Sequence, residues 1–250
     1  MKMTWNWALL LLLAGAVTLS SCKKDEDEEP TPDPTPSTSS APTTPVFSNA
    51  DGALWAVNSI TITTMPIVGE VDTEIGIAVG AFANEGNFDD LVNVGTVKVD
   101  DQSLTRNANN SYTLTPGLTN PSGIEYGNIV DWEVTGGGDF GAFTYSSNIA
   151  WPTLTPITSG ETVSKSEGYT LTVNSVSNAD SVLFLVGSVV KTIPGNATSC
   201  TFSADELSGL SNGTSVATVA PYASTPQTLG GKTIYVGKEA VRTRTITITN

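Results

Sequence analysis

The sequence predicts an all-β protein built from two tandem antiparallel β-sandwich modules. Short runs rich in Val, Ile, Thr and aromatic residues recur about every eight to twelve residues, with Gly, Asn, Pro and Asp between them. No long stretch has the apolar spacing of an amphipathic helix. In Ile60-Thr61-Ile62-Thr63 and Val97-Lys98-Val99 apolar and polar residues alternate, as a half-buried antiparallel strand requires.

The length of 250 residues divides into four predicted segments. Residues 1–21 form a targeting peptide and residues 22–45 a disordered tether. Residues 46–153 form a first, acidic β-sandwich module, and residues 154–250 form a second one. Modules of about a hundred residues are large enough to bury a core of their own.

The N-terminus has the features of an export signal. The basic residue Lys2 precedes an apolar run over residues 8–16, which is too short to span a hydrocarbon layer of about 30 Å. The following Leu19-Ser20-Ser21-Cys22 resembles the lipobox of bacterial lipoproteins. The resemblance implies cleavage before Cys22 and acylation of this residue, and two or three chains would anchor the protein stably in a membrane. The alternative is an ordinary signal peptide with a coincidental cysteine.

The residues after Cys22 bear on localisation. The run Lys23-Lys24-Asp25-Glu26-Asp27-Glu28-Glu29 is similar to the signal that sends Bacteroidota lipoproteins to the cell surface. That resemblance implies an outer-membrane protein, lipid-anchored and facing the exterior. On physical grounds alone the run is a solvated, self-repelling segment. Residues 30–45 are almost entirely Pro, Thr, Ser and Ala, and extended polyproline II geometry would give the tether a reach of roughly 70 Å.

The strands of the two modules are predicted from these alternating runs. The first module has candidate strands at 54–63, 74–83, 92–99, 111–114, 129–135 and 142–145. The second has them at 161–164, 169–173, 181–186, 189–193, 198–202, 214–220, 232–236 and 240–249. The number and spacing in the second module resemble an immunoglobulin-like sandwich, without the Cys and Trp hallmarks of antibody domains.

Two local patterns add detail to the second module. Ser203 and Glu206 form a capping box, which predicts a single helical turn ending near Gly209. The last strand alternates Arg or apolar residues on one face with Thr on the other over residues 242–249. This composition is typical of an exposed sheet edge that is protected against unwanted pairing, and a recognition role is the alternative.

Charge and composition exclude several classes of function. The chain has 11 Lys and Arg against 25 Asp and Glu, so phosphate contacts to nucleic acid have almost no support. It has no His, which removes Ser-His-Asp and Cys-His catalysis and His-ligated zinc or haem. No cofactor or metal site is predicted. Cys200 lies in a strand-like stretch and is expected to be buried and inert.

The acids concentrate in the first module, which makes it the better candidate for ligand binding. Residues 46–153 contain 13 acidic residues against two basic ones, a net charge of −11, whereas residues 154–250 carry six of each. Asp131 and Glu133 flank Trp132, and strand periodicity places both carboxylates on one face. Such a pair near an aromatic is typical of a glycosidase. An Asp-x-Glu pair on a strand is common, however, and a solvent-facing strand face with an inward Trp132 is the favoured interpretation.

A glycine-rich turn provides the second candidate. The segment from Gly136 to Tyr145 contains Asp139 and three aromatic residues and leads to Trp151. Sugar sites often stack a pyranose on an exposed aromatic beside an acidic residue. A hairpin whose aromatics fill the sandwich is the favoured interpretation, and the sugar site is the alternative. The possible ligand-binding residues are therefore Asp131, Trp132, Glu133, Asp139, Tyr145 and Trp151.

Together these features predict a lipid-anchored surface accessory protein rather than an enzyme. Its order of segments resembles that of two-module surface lipoproteins of Bacteroidota, a likeness carried by Gly95-Thr96-Val97-Lys98-Val99, Asp131-Trp132-Glu133-Val134-Thr135-Gly136 and Asp180-Ser181-Val182. Expected partners are the membrane, through the lipid, and polysaccharides or other surface proteins. Glycan capture and adhesion or assembly are rival roles. The alternative from another class is a small glycoside hydrolase that uses Asp131 and Glu133.

Overall fold

The computed structural model describes residues 49–65, 67, 69–118 and 120–250. The predicted targeting peptide, the lipidation site Cys22 and the tether lie outside these residues. The prediction of an all-β fold is confirmed, because 59% of the structure is strand and 3% is helix, with antiparallel sheets consistent with a β-sandwich.

The strands differ widely in length, and the four longest are neighbours at the centre of the largest sheet. In chain order they are β1 (Gly52–Met65), β2 (Gly69–Phe82), β3 (Val97–Val99), β4 (Gln102–Ser103), β5 (Thr105–Arg106), β6 (Tyr112–Leu114), β7 (Val130–Val134), β8 (Phe143–Ser147), β9 (Thr153–Leu154), β10 (Thr162–Ser164), β11 (Tyr169–Thr172), β12 (Val176–Ser177), β13 (Ser181–Val186), β14 (Val189–Pro194), β15 (Ser199–Phe202), β16 (Gly213–Leu229) and β17 (Lys232–Thr249). A 3₁₀ turn spans Asn84–Gly86, and helix α1 spans Ala204–Leu207.

The largest sheet runs the length of the molecule. Within the described residues it contains nine strands in the order β14-β13-β16-β17-β1-β2-β6-β5, with β10 added beside the end of β17. Strand β17 pairs antiparallel with β16 on one side and parallel with β1 and β10 on the other. The prediction that this terminal strand is an exposed edge is therefore wrong, because both of its sides are hydrogen-bonded.

The largest differences from the predicted strand lengths are at β16 and β17. Strand β16 continues to Leu229 although Pro221 cannot donate to the ladder, because the pairing with β17 resumes at Tyr222 in the same register. The runs 232–236 and 240–249 form the single strand β17. Gly237 lies within this strand and does not interrupt it. A glycine makes room for the ring of Trp55, because a Cβ at Gly237 would be 2.6 Å from ring atoms.

One face of the large sheet is covered by two separate apolar cores. In core A, Leu54 and Phe82 of the long strands pack against Val97, Val130 and other buried residues between Val94 and Phe140. Core B is formed by buried residues between Leu154 and Ile248, including Leu171, Phe184 and Phe202, and Ile60 of β1 packs against it. Strand β1 thus passes from one core to the other, and burial of each large side chain stabilises the fold by about 1.5–3 kcal/mol.

The C-terminal hairpin also contributes to both cores. Ile234 and Val236 pack in core A, whereas Ala240 and Ile246 of the same strand pack in core B. The two lobes, defined as the structure around each core, therefore share one continuous sheet. The opposite face of this sheet carries a third cluster, built around Trp55, Leu183 and Tyr222.

Smaller elements complete each lobe. Among the described strands, four form the second sheet of the first lobe, in the order β4-β3-β7-β8, and β11 pairs with β15 in the second lobe. Ser203 is the N-cap of helix α1. Its hydroxyl accepts from the backbone N–H of Glu206, while the Glu206 carboxylate accepts from the backbone N–H of Ser203. The predicted capping box is confirmed.

Arg242 joins the β1–β2 hairpin to the lobe junction. Its guanidinium donates to both carboxylate oxygens of Asp72, at 3.2 and 2.8 Å, and its Nε donates to the carbonyl of Leu154 at 3.3 Å. This contact holds the pKa of Asp72 below its usual value, mainly through the hydrogen bonds from Arg242. The fork geometry is one that lysine cannot reproduce.

We expect Arg242→Lys to lower the free energy of unfolding by about 1 kcal/mol, a modest value because the Asp72 side chain is half-exposed. Urea unfolding measures this change. Arg244→Lys is the matched control. Arg244 also donates to the carbonyls of Ile157 and Ser159, but its side chain is 33% exposed and that of its partner Glu161 is 67% exposed, so a smaller loss follows. An equal loss in both variants would contradict the assigned role of Arg242.

Candidate functional site

The sequence-predicted carboxylate pair lies on the outer face of the four-stranded sheet. Trp132 is only 2% exposed and packs in core A, so its neighbours in β7 project to the opposite side. Asp131 and Glu133 border a depression of about 200 Å³, the outer-face depression, which is lined by Lys98, Asp101, Asp131, Trp132, Glu133, Thr144, Tyr145 and Ser146.

The two predicted carboxylates of this depression, Asp131 and Glu133, have partners. Glu133 forms an ion pair with Lys98 of the neighbouring strand at 3.2 Å. Asp131 accepts from the Ser146 hydroxyl at 2.5 Å. Each acid is thus engaged by a cross-strand neighbour, which is the usual way to stabilise polar residues on an exposed sheet face.

The aromatics of the glycine-rich turn mostly serve the core. Phe140 is buried, and Phe143 and Tyr145 are half-buried against core A. Asp139 is exposed at the tip of the turn and borders neither of the cavities described here. Of the predicted site residues, four therefore meet at the outer-face depression, while Trp151 lies elsewhere.

Trp151 borders a larger cavity at the junction of the two lobes. This inter-lobe cleft has a volume of about 380 Å³ and is lined by Asn58, Glu74, Gly76, Ser122, Ile124, Glu125, Tyr126 and Trp151. Asn58 lies in β1 between Ala56 of core A and Ile60, which packs against core B. The cleft thus opens on the inner face of the shared sheet, where the two cores separate.

The floor of the cleft comes from paired strands. Asn58 lies opposite Gly76, and Glu74 lies opposite Ile60, so the cross-strand partners share one face. The Asn58 amide donates to the Glu74 carboxylate at 3.3 Å. This contact orients both side chains at the base of the cleft.

The wall over this floor is a loop fixed by Gly76. The N–H of Gly76 donates to the Ser122 carbonyl at 2.9 Å, and the N–H of Ile124 donates to the Gly76 carbonyl at 3.1 Å. A Cβ at Gly76 would lie 1.8 Å from the Ile124 carbonyl oxygen. Only glycine allows the backbone of the loop to approach the strand this closely.

Two aromatic rings form the other side of the cleft. The centroids of Tyr126 and Trp151 are 5.2 Å apart, with an interplanar angle of 43°. The Tyr126 hydroxyl donates to the Ile77 carbonyl at 2.6 Å, and Trp151 Nε1 donates to the Gly127 carbonyl at 2.8 Å. Backbone contacts therefore satisfy the polar ends of both side chains and fix the position of the rings.

A buried cation supports Trp151. Lys238 is fully buried, its Nζ donates to the Asn128 carbonyl at 2.7 Å, and the same atom lies 5.0 Å from the centroid of the Trp151 ring. Burial lowers the pKa of Lys238, and the charge of Asp100 opposes this effect. Burial also raises the pKa of Tyr126.

The residue after Lys238 is buried on the opposite face of the sheet. Glu239 is 1% exposed and accepts from Trp55 Nε1 at 2.9 Å. Burial raises its pKa to about 8, and the hydrogen bond from Trp55 only partly offsets this. The ring of Tyr222 packs against that of Trp55, with 5.8 Å between centroids.

Other chemistry-bearing groups have structural surroundings. Cys200 is buried in β15 as predicted, and burial raises its pKa, which opposes thiolate formation. Among the described residues no group of three or more carboxylate or thiol side chains is placed to hold a metal ion.

Sequence reasoning identified Trp151 but missed the other cleft residues. Tyr126 belongs to a loop without strand periodicity, although an aromatic within Pro121-Ser122-Gly123-Ile124-Glu125-Tyr126-Gly127 is a signal that could have indicated a binding loop. Glu74 and Asn58 belong to ordinary alternating strands. Their approach to Trp151 depends on contacts between distant parts of the chain.

Two further results concern membrane-spanning helices and similarity to known proteins. In the part that the structure describes, no helix has the length and apolar character needed to cross a bilayer. Comparisons with protein-family models, with curated proteins and with solved structures find no match to this chain.

Proposed function

We propose that this chain is a lipid-anchored cell-surface accessory protein, without catalytic activity, that binds carbohydrate in the inter-lobe cleft. The lipobox-like sequence at Cys22 and the long tether support the anchor and the display at the surface. The observation that carries the binding role is the pair of fixed aromatic rings, Tyr126 and Trp151, beside polar side chains in a cavity of about 380 Å³.

The rings suit the apolar face of a sugar. Because their N–H and O–H groups already donate to backbone carbonyls, the rings offer a ligand mainly their carbon surfaces. Stacking against the C–H groups of a pyranose uses such surfaces. Side chains held in place before binding also lose little conformational entropy when a ligand arrives.

The remaining lining suits the hydroxyl groups of a sugar. Glu74 and Glu125 are exposed and accept hydrogen bonds, Asn58 both donates and accepts, and Ser122 adds a hydroxyl. A cavity of this volume with a few convergent polar groups has the character of a small-molecule site. The outer-face depression is smaller, and its two predicted acids already have partners.

Assembly through a strand edge is the second candidate role. Strand β2 pairs with β6 only at Ala78–Gly80, and no described strand pairs with its outer side near Thr73. Asp72 and Glu74 border this edge, and charged residues at an edge oppose pairing with another chain. This charge favours the carbohydrate role over assembly.

Affinity electrophoresis of the mature chain on a panel of neutral polysaccharides tests the proposal. We expect retardation by at least one polymer, and a loss of affinity of tenfold or more in Trp151→Ala, the equivalent of about 1.4 kcal/mol. Trp151→Phe should retain part of the binding, because it keeps a ring for stacking.

Asp131→Asn is the control for the outer-face depression and should bind normally. Thermal unfolding of each variant verifies folding. Retardation by no neutral polymer, or equal retardation of Trp151→Ala and the unmodified chain, would refute the cleft as the site. Loss of hydrolytic activity in Asp131→Asn or Glu133→Gln, if the mature chain cleaved a polysaccharide, would instead support the hydrolase alternative.

A further inference from the structure

We infer that the inter-lobe cleft selects neutral or amine-bearing sugars and discriminates against anionic ones such as uronates and sulfated sugars. This inference rests on the proposed carbohydrate function and adds the class of ligand. Its basis is the sign of the charges that border the cleft. Of the described lining residues, those that carry charge are the two acids Glu74 and Glu125.

The nearest cations are already engaged. Arg242 donates two hydrogen bonds to Asp72 and one to the Leu154 carbonyl. Lys238 is fully buried behind Trp151 and donates to the Asn128 carbonyl. Both side chains are buried and neither lines the cleft, so an anionic ligand would face Glu74 and Glu125 without a cation beside it.

The net negative charge of the first lobe also opposes the binding of an anionic ligand. Residues 46–153 have a net charge of −11, and the three cations of β17 that pack beside this lobe, Lys232, Lys238 and Arg242, bring the sum to −8. A polyanion approaching the cleft is therefore repelled, most strongly at low ionic strength. A neutral polysaccharide is not repelled, and an amine-bearing polysaccharide is attracted.

The test compares each neutral polymer with its own carboxymethylated form. Amylopectin, laminarin and hydroxyethyl cellulose are used in affinity electrophoresis with the mature chain at low and high salt. We expect at least one neutral polymer to retard the chain, and its carboxymethylated form to bind at least fivefold more weakly at low salt. The difference should narrow as salt increases.

The variant Glu74→Gln/Glu125→Gln removes both negative charges from the cleft and keeps one acceptor oxygen at each position. We expect its affinity for the carboxymethylated polymer, divided by its affinity for the neutral form, to rise at least threefold. This ratio cancels any change in hydrogen bonding that affects both polymers equally. Asp131→Asn/Glu133→Gln is the matched control, because it removes the same charge from the same lobe but outside the cleft, and it should leave the discrimination almost intact.

The outcomes separate this inference from the proposed function. Equal or tighter binding of a carboxymethylated polymer would overturn the charge selectivity and leave carbohydrate binding standing. If both double variants reduced the difference in affinity between the neutral and the carboxymethylated polymer equally, the role of the cleft acids would be overturned. Retardation by no polymer, neutral or anionic, would overturn both the selectivity and the function on which it rests.

Discussion

Replacing Glu239 with glutamine is expected to raise the free energy of unfolding at pH 9 by about 4 kcal/mol. The carboxyl group is fully buried, and burial raises its pKa to about 8 from an ordinary value of 4.5. The unfolded chain ionises this group near pH 4.5, so its contribution to stability is complete below that pH. The contribution is lost as the pH rises through 8. Glutamine accepts the same hydrogen bond from Trp55 and does not ionise.

Urea unfolding at pH 5, 7 and 9 measures this effect. The unmodified chain should lose stability relative to Glu239→Gln between pH 5 and 9, with near equality at pH 5. Lys238, whose pKa is lowered by burial, is present in both proteins. The pKa of Tyr222 is raised to about 12, mainly by burial and partly by the charge of Glu239, so Tyr222 titrates above the pH range of the comparison. Glu125→Gln, an exposed position, is the control and should change little. Parallel pH profiles for the unmodified chain and Glu239→Gln would show that Glu239 ionises freely.

Gly76→Ala is expected to dismantle the inter-lobe cleft. The added Cβ would lie 1.8 Å from the Ile124 carbonyl oxygen and 2.7 Å from its carbon, so the loop must leave the strand. The two backbone hydrogen bonds between Gly76 and the loop would break. We expect a loss of about 2–3 kcal/mol of stability and the loss of polysaccharide retardation.

Gly80→Ala in the same strand is the matched control. Its Cβ would meet Leu54 Cδ2 at 3.4 Å, which is an ordinary contact, so stability should change by less than about 1 kcal/mol and binding should persist. Urea unfolding and affinity electrophoresis measure both properties. Retention of binding by Gly76→Ala would show that the loop does not form part of the site.

Local patterns in the sequence predicted local features well. Strand periodicity placed Trp132 in the core with Asp131 and Glu133 on the outer face, as the structure has them. The capping box at Ser203 also formed as predicted, because both of its hydrogen bonds lie within four residues. In each case the determining interactions involve near neighbours in the chain or the intrinsic alternation of a strand.

Such local patterns could not predict which distant strands pair with each other. Nothing in residues 52–61 indicates that they lie parallel to 234–243, and this pairing converts the expected edge strand into a central one. The same pairing brings Trp55 onto Gly237, which explains a glycine that resembled a strand end. The charged pair Lys238-Glu239 lies between apolar residues of β17, and both side chains are buried in this central strand.

The cleft could be predicted only in part for the same reason. Trp151 was identified from composition, yet its neighbours Tyr126 and Glu74 come from a loop and a strand far from it in sequence. Close approach of the loop depends on Gly76, whose role is evident only from the position of Ile124. A site formed at the junction of two cores is a property of tertiary contacts.

A crystal structure of the mature chain with an oligosaccharide of a polymer that retards it tests the central claim most directly. We predict that density for the sugar will lie in the inter-lobe cleft, with a pyranose ring against Trp151 or Tyr126 and hydroxyl groups within hydrogen-bond distance of Glu74 or Glu125. Sugar density at the outer-face depression, with the inter-lobe cleft holding only solvent, would contradict the account.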